Sequence, residues 1–263
     1  MRPQVLTSSF LSASRLYTAT FASSTCPAVA RSLVPNTRAS IAAALRPFTT
    51  RQNIHTPAST MAASSSQLLE AFKARRSYYQ LNKELPIPKE KVADIVKEAL
   101  IQVPSSFNSQ SNRVLVLFGA DHDKLWDITS EILKPLVPAD SWDATAGRNA
   151  GFRAGAGTVL FFVDTAVVAD FQQKFALYKD RFPTWAEHST AMLQFAVWTA
   201  LEAEGLGANI QHYNPLIDER VAAEWGIPST WQLTAQVVFG GRAGEPGPKE
   251  HKPLEEIFKV AGL

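Results

Sequence analysis

The chain has 263 residues, 46% of them hydrophobic and 19% charged, which is enough apolar material for one sizeable domain and too much for a disordered or collagen-like polymer. Its net charge of +2 hides an asymmetry: the first 69 residues carry six arginines and no lysine or acid, which leaves 20 basic against 24 acidic residues on the remainder, a charge of −4. A body of that sign gives no support to non-specific nucleic-acid binding, and the single cysteine, Cys26, lies ahead of it, so a disulfide framework, a cysteine metal site and a cysteine nucleophile are excluded there.

Residues 1–66 are rich in Ser, Thr, Ala and Arg, and short apolar pieces such as Ile41 to Leu45 sit beside Arg46. That composition predicts a disordered, transit-like leader with a mitochondrial matrix address, and Met61 could begin a shorter cytosolic form. A secretory signal needs one block of about 7 to 15 apolar residues near the start, and a membrane span about 20. Ser, Thr and Arg interrupt every candidate, so neither is expected.

Residues 67–263 read as one domain. Leu68, Leu69 and Phe72 predict a short amphipathic helix ending in Arg75-Arg76, and Pro88 opens a second helix with Val92, Ile95, Val96, Ala99 and Leu100 at helical spacing. Arg113 to Gly119 reads as a buried strand and Asp121 as the cap of a helix running to about Leu133. Val137 to Gly157, rich in Gly and Pro, reads as a long loop. Thr158 to Val163 is the next strand, followed by a helical pattern to Tyr178. Trp185 to Glu204 is the longest helix, apolar nearly all round and therefore buried on several sides, within one chain or between two. A short strand over Ala208 to Tyr213, a helix from Pro215 to Trp225 closed by Gly226, a strand from Trp231 to Phe239 and a helix from Leu254 to Val260 complete the chain. Interspersed strands and helices predict a layered α/β or α+β sandwich.

No G-x-S-x-G elbow, H-E-x-x-H or G-x-x-x-x-G-K-[ST] loop occurs, so the common hydrolase and NTPase chemistries fail. Gly155-Ala-Gly157 precedes a strand, whereas a dinucleotide fingerprint follows one, and it reads as a loop. His122, His188, His212 and His251 stand in separate segments without ligand spacing, so no metal site is expected. Three polar clusters remain. Arg75-Arg76-Ser77 suits a phosphate, held by charge-assisted bonds, or equally a helix C-terminus stabilised by cations. The run from Pro104 to Gln110 offers hydroxyl and amide groups suited to a heterocycle edge, or forms a solvated turn. In Asn209 to Asn214, strand alternation sends Asn209, Gln211 and Tyr213 to one side and Ile210 and His212 to the other.

These clusters, together with Phe182 to Trp185, the stretch from Trp198 to Pro215 and Val238 to Gly241, occur in an order that resembles the nitroreductase superfamily, in particular its fungal and bacterial nitroreductase-like branch. The resemblance spans the whole body. It implies an α+β fold with a central, largely antiparallel sheet flanked by helices, a homodimer, and FMN at two active sites shared between subunits. Carried onto this sequence, Arg75, Arg76 and Ser77 would contact the FMN phosphate and ribityl chain. Ser105, Ser106, Asn108 and Gln110 would approach the flavin ring from the partner subunit, and Gln211 and His212 would lie at the strand end near that ring. Gly241 and Arg242 would complete the phosphate site. Two departures stand out: the loop lacks the Pro-Trp that many relatives carry after the Gln, and the late segment has one arginine where two basic residues are common, which makes Lys249 and Lys252 alternatives to Arg242.

The activity implied is that of an FMN-dependent oxidoreductase taking hydride from NADH or NADPH and reducing nitroaromatics, quinones or similar electrophiles by a ping-pong cycle. No catalytic side chain is expected, because the hydride chemistry belongs to the flavin. The alternative is a flavin-binding redox sensor or regulator with slow turnover, linked to stress or lipid signalling. A cofactor-free structural subunit would have lost the Arg75 and Asn108 clusters, and both are intact.

Overall fold

A computed structural model describes residues 64–263. The leader expected over residues 1–66 lies almost entirely outside the described residues. Helix α1 (Ser65–Ala74) begins with a capping box, in which the Ser64 hydroxyl accepts from the Gln67 amide and the Gln67 side chain accepts from the Ser64 amide. Strand β1 (Leu81–Asn82) and helix α2 (Lys89–Gln102) follow, then β2 (Asn112–Phe118), α3 (Ala120–Leu133), α4 (Trp142–Arg153) and β3 (Gly157–Asp164). The second half comprises α5 (Thr165–Lys174), α6 (Phe182–Ala203), β4 (Gly207–Gln211), α7 (Asp218–Trp225), β5 (Trp231–Arg242) and α8 (Leu254–Ile257).

The pairings between strands β1 to β5 are all antiparallel, in line with the largely antiparallel sheet that the resemblance implies. Strand β3 lies between β2 and β5, β4 lies along the other edge of β5, and β1 pairs with the end of β5 at Gly241 and Arg242. Helical layers cover both faces, which is why β3 is buried along its whole length and reads as an unbroken apolar run. Val159 and Phe161 of β3 pack with Val92 and Val96 of α2 and Leu193, Val197 and Leu201 of α6. Leu160 and Phe162 face the opposite way, toward Leu125 and Trp126 of α3, Phe152 of α4 and Val221 of α7. A β-bulge at Thr234 keeps β5 in step with this division: Phe161 pairs with Ala235 but Phe162 with Leu233, and Leu233 is thereby turned to the α3 side.

Several elements differ from expectation. Strand β2 is only half-buried, because it is the edge strand beyond β3. Asp121 is not the cap of α3: Gly119 occupies that place at φ +57° and ψ −122°, a conformation L side chains rarely adopt, and the Asp121 carboxylate instead accepts from the Trp225 indole. The expected loop from Val137 to Gly157 contains α4. Its buried stripe is Thr145, Asn149 and Phe152, two of them polar, with Asn149 donating to Ser130 of α3, so hydrophobic periodicity gives no sign of it. Helix α5 ends at Lys174 and gives way to a 3-10 segment, Ala176–Arg181, before Tyr178 is reached. Helix α6 starts at Phe182, with Pro183 in its first turn. Helix α7 begins at Asp218, and Gly226, at φ +62°, closes it as expected. Helix α8 is a single turn. Among the described residues, no helix is long and apolar enough to cross a membrane.

His122 on α3 is fully buried, with Nδ1 against the Thr158 hydroxyl at 2.9 Å and Nε2 against the Arg153 carbonyl at 3.3 Å. Burial pulls its pKa down from 6.5 to about 4. A base whose folded pKa is depressed stabilises the fold above its unfolded pKa and loses that contribution as the pH falls, here between 6.5 and about 4. The His122→Gln variant is expected to be less stable than the native chain at pH 7, and this gap should narrow by up to roughly 3 kcal/mol on acidification, because only the native chain must keep a histidine neutral. Urea unfolding at several pH values measures the gap, and a constant gap would show that His122 titrates normally.

Candidate active site

Arg75 is the extended C-cap of α1, so the chain leaves the helix there and runs beside β4. Ser77 forms a parallel bridge with Ala208, the Tyr78 amide donates to the Ala208 carbonyl at 2.9 Å, and the Asn209 side-chain amide donates to the Tyr78 carbonyl at 2.7 Å. Two clusters that lie far apart in sequence are thus laced together. The Arg75 guanidinium stacks 4.3 Å from the centre of the Trp198 ring. The Arg76 backbone amide donates to Glu202 Oε2 at 2.9 Å, and its guanidinium donates to the Gly247 carbonyl. Trp198 Nε1 donates to Glu202 Oε1 at 2.7 Å. Burial pushes the Glu202 carboxyl up, against the opposing pull of the Arg76 amide, the Trp198 indole and the charges of Arg242 and Arg75. Arg75, Arg76, Ser77, Tyr79, Gly247, Pro248 and Lys249 line a cleft of about 260 Å³ with three cations at its wall.

Tyr79 also belongs to a second cleft of about 640 Å³, walled by Phe152, Ile210, Gln211 and Arg148, with Gly147 and Gly151 one helical turn apart on α4. A Cβ at either glycine would stand in open space, so the absence of side chains there leaves that face of α4 clear. Gln211 is oriented by the bond from its Nε2 to Asn209 Oδ1 at 2.8 Å, and His212 follows β4 as an exposed residue. The alternation expected for this strand holds: Ile210 packs on the α6 side and Tyr213 on the α3 side. Fully buried Gln236 of β5 fixes the turn that follows, accepting from the Tyr213 amide at 2.7 Å and donating to Asn214 Oδ1 at 3.3 Å. The two clefts that share Tyr79 offer cations in one and a mixed apolar and amide surface in the other. That arrangement suits a ligand with an anionic tail and a flat heterocyclic head.

Asn108 and Gln110 are elsewhere. They line a separate cleft of about 300 Å³ with Leu100, Ile101, Val103, Ser105, Asn112 and Arg113, and no residue is common to the two regions. Their loop is backbone-strained: Phe107, Asn108 and Gln110 have φ of +55°, +51° and +51°. Aromatic packing opposes that strain: the half-exposed Phe107 ring meets Phe175, Phe182, Trp185 and Tyr178 at centroid distances of 4.9, 5.5, 5.7 and 6.1 Å. Ser105 and Ser106 brace the loop, the first by accepting from the Gln110 amide at 2.9 Å and the second through its amide to the Ser189 hydroxyl at 3.3 Å.

Gly241 and Arg242 do not line the cationic cleft. Gly241 is glycine because a Cβ would fall 2.3 Å from Asn82 Oδ1 in the paired strand. Arg242 closes the C-terminus of α6, donating to the carbonyls of Leu206 at 3.0 Å and Glu202 at 3.1 Å, with its guanidinium 4.5 Å over the Tyr78 ring. Lys249, and not Lys252, reaches the cleft that Arg242 leaves. Sequence reasoning missed Glu202, Trp198, Tyr79 and Arg148. The one available signal was a carboxylate four residues after a tryptophan in a largely apolar helix.

The nitroreductase family profile matches residues 72–241, from the end of α1 to the end of β5. The HBN1 protein of Saccharomyces cerevisiae is 36% identical over 193 residues, covering 72% of this chain and 96% of its own, and the nitroreductase FRM2 of the same yeast is 34% identical over 174 residues, covering 65% and 86%. The structure of the nitroreductase CinD from Lactococcus lactis is 44% identical and superposes with a TM-score of 0.70, covering 74% of this chain and all of that one. Fold and site together define an α+β redox enzyme. The chain belongs to the nitroreductase family and is an oxidoreductase of that family.

Proposed function

We propose that the chain binds FMN with its phosphate in the cationic cleft and its ring toward β4, and that it uses NADH or NADPH to reduce nitroaromatics, quinones or similar electrophiles as a homodimer. The observation that carries this reading is that Tyr79 lines both the cleft walled by Arg75, Arg76 and Lys249 and the cleft that holds Gln211, which sets a cationic and an amide-bearing surface side by side. When bound, FMN supplies the hydride transfer in two half-reactions, first with the nicotinamide and then with the acceptor. The protein's own residues bind, orient and shield. Arg75, Arg76 and Lys249 supply positive charge to a phosphate dianion and Ser77 a hydroxyl, while Gln211 presents a side-chain amide to a heterocycle edge. Asn108 and Gln110, on a stiff loop that shares no cleft with these residues, would complete the site of the partner subunit. Exposed Leu68 and Leu69 of α1, Ile101 of α2 and Met192 and Phe195 of α6 provide apolar surface for that association.

CinD is known in complex with nicotinic acid, with chloramphenicol and with 4-nitrophenol. More distant proteins of this fold, 20% and 18% identical, are described with FMN. The direct test is spectroscopic and kinetic. Purified protein is expected to be yellow, with flavin absorbance bands, and to oxidise NADH or NADPH when given 4-nitrophenol or a quinone. Colourless protein that takes up no added FMN would overturn the reading.

A further inference from the structure

Glu202 is a carboxylate only 6% exposed, near the end of α6, the longest helix among the described residues. A buried carboxylate is unfavourable unless its oxygens are satisfied. Both are: Oε2 accepts from the Arg76 backbone amide at 2.9 Å, and Oε1 accepts from the Trp198 indole at 2.7 Å. The Trp198 ring in turn carries the Arg75 guanidinium at 4.3 Å. One carboxylate therefore fixes the backbone of one arginine and, through the indole, the side chain of the other. Arg242 binds the backbone carbonyl of the same residue at 3.1 Å but does not line the cleft, so its charge compensates Glu202 without taking the place of a ligand.

We infer that Glu202 is the positioning residue of the phosphate arm, holding Arg75 and Arg76 in place for the phosphate monoester of a flavin nucleotide and so setting the preference for FMN over riboflavin. The inference rests on the FMN reading above. It has a clear rival, because a carboxylate close to a phosphate also repels it. Removing the charge tightens FMN binding if repulsion dominates and weakens it if positioning dominates. Preorganisation favours the second outcome, since two free arginines would otherwise have to be ordered as the ligand arrives.

The experiment titrates flavin-free protein with FMN and, separately, with riboflavin, following flavin fluorescence, for the native chain, Glu202→Gln and Trp198→Phe. Glutamine keeps the shape, but it places an NH2 donor where one of the two carboxylate oxygens accepts, so either the Arg76 amide or the Trp198 indole loses its acceptor. Glu202→Gln should weaken FMN binding roughly tenfold, the scale of one charge-assisted bond, and leave riboflavin within about twofold. Trp198→Phe keeps a ring beneath Arg75 but loses its anchor, and should shift FMN in the same direction by less. Tighter or unchanged FMN binding by Glu202→Gln would overturn the inference, as would an equal loss for FMN and riboflavin, which marks a general structural defect. If Glu202→Gln does not fold, Trp198→Phe decides by the same ratio of FMN to riboflavin affinity. A native chain that binds neither flavin would instead remove the FMN reading itself.

Discussion

Arg75→Ala is expected to lower FMN affinity by roughly 10- to 100-fold, the loss of one charge-assisted bond to a phosphate at about 1.5 to 3 kcal/mol. Stability should change little. Arg75 is half-buried, and its side-chain contact within the chain is the stack on Trp198, a contact on the order of 0.5 to 2 kcal/mol. Lys249→Ala should behave in the same way, by less, since an exposed ammonium is a more strongly hydrated and less directional partner than a guanidinium. Arg242→Ala should do the reverse. It leaves the carbonyls of Leu206 and Glu202 without their donor and removes the cation stacked on Tyr78, so the melting temperature falls while the preference for FMN over riboflavin is kept. Isothermal titration with both flavins, beside thermal melts, separates the three variants. Full FMN affinity in Arg75→Ala would remove the phosphate assignment, and weak FMN binding with unchanged melting in Arg242→Ala would return that arginine to the phosphate site.

The contrast between these arginines shows how far the sequence could be read. Arg75-Arg76-Ser77 is legible as a cationic cluster, but whether it serves a helix end or an anion depends on where the guanidiniums go. They go to Trp198 and to the Gly247 carbonyl, and neither turns back to the carbonyls of α1. The partner that fixes the cluster, Glu202, lies 126 residues along the chain, a separation that no local pattern reports. The central strands are legible for the opposite reason: β3 has helices on both faces, so burial writes itself into every residue. Strand β2 is legible from the same kind of apolar run, but at the sheet edge it is only half-buried, and α4, whose buried stripe includes Thr145 and Asn149, carries no such mark. The left-handed backbone at Phe107, Asn108 and Gln110 is equally hidden, because no glycine announces it. What accompanies it is long-range: four aromatic rings from the segment between Phe175 and Trp185 pack against the Phe107 side chain.

Activity is expected to be a property of the dimer, since the arginine arm and the Asn108 loop of one chain share no cleft. If each site takes Arg75 from one subunit and Asn108 from its partner, Arg75→Ala and Asn108→Ala homodimers each have two impaired sites. A heterodimer of the two variants is different: one site lacks both residues, and the other has both. A two-fold assembly makes this distribution unavoidable, because every residue of one subunit recurs in the symmetry-related position of the other. Under saturating NADH, a fixed nitroaromatic acceptor and FMN near the native Kd, the heterodimer should therefore recover about half the native rate while each parent retains on the order of a tenth or less, the scale set by losing 1.5 to 3 kcal/mol at one site. Differently tagged subunits, co-expressed and purified through both tags, give the heterodimer free of its parents. A rate no higher than the mean of the two homodimers, with both parents clearly defective, would mean that Arg75 and Asn108 serve a site within a single chain. The loop at Phe107 would then have to bend toward its own arginine arm, and relaxing its left-handed turn by Phe107→Ala would alter the activity of an isolated subunit, which the shared-site arrangement does not allow.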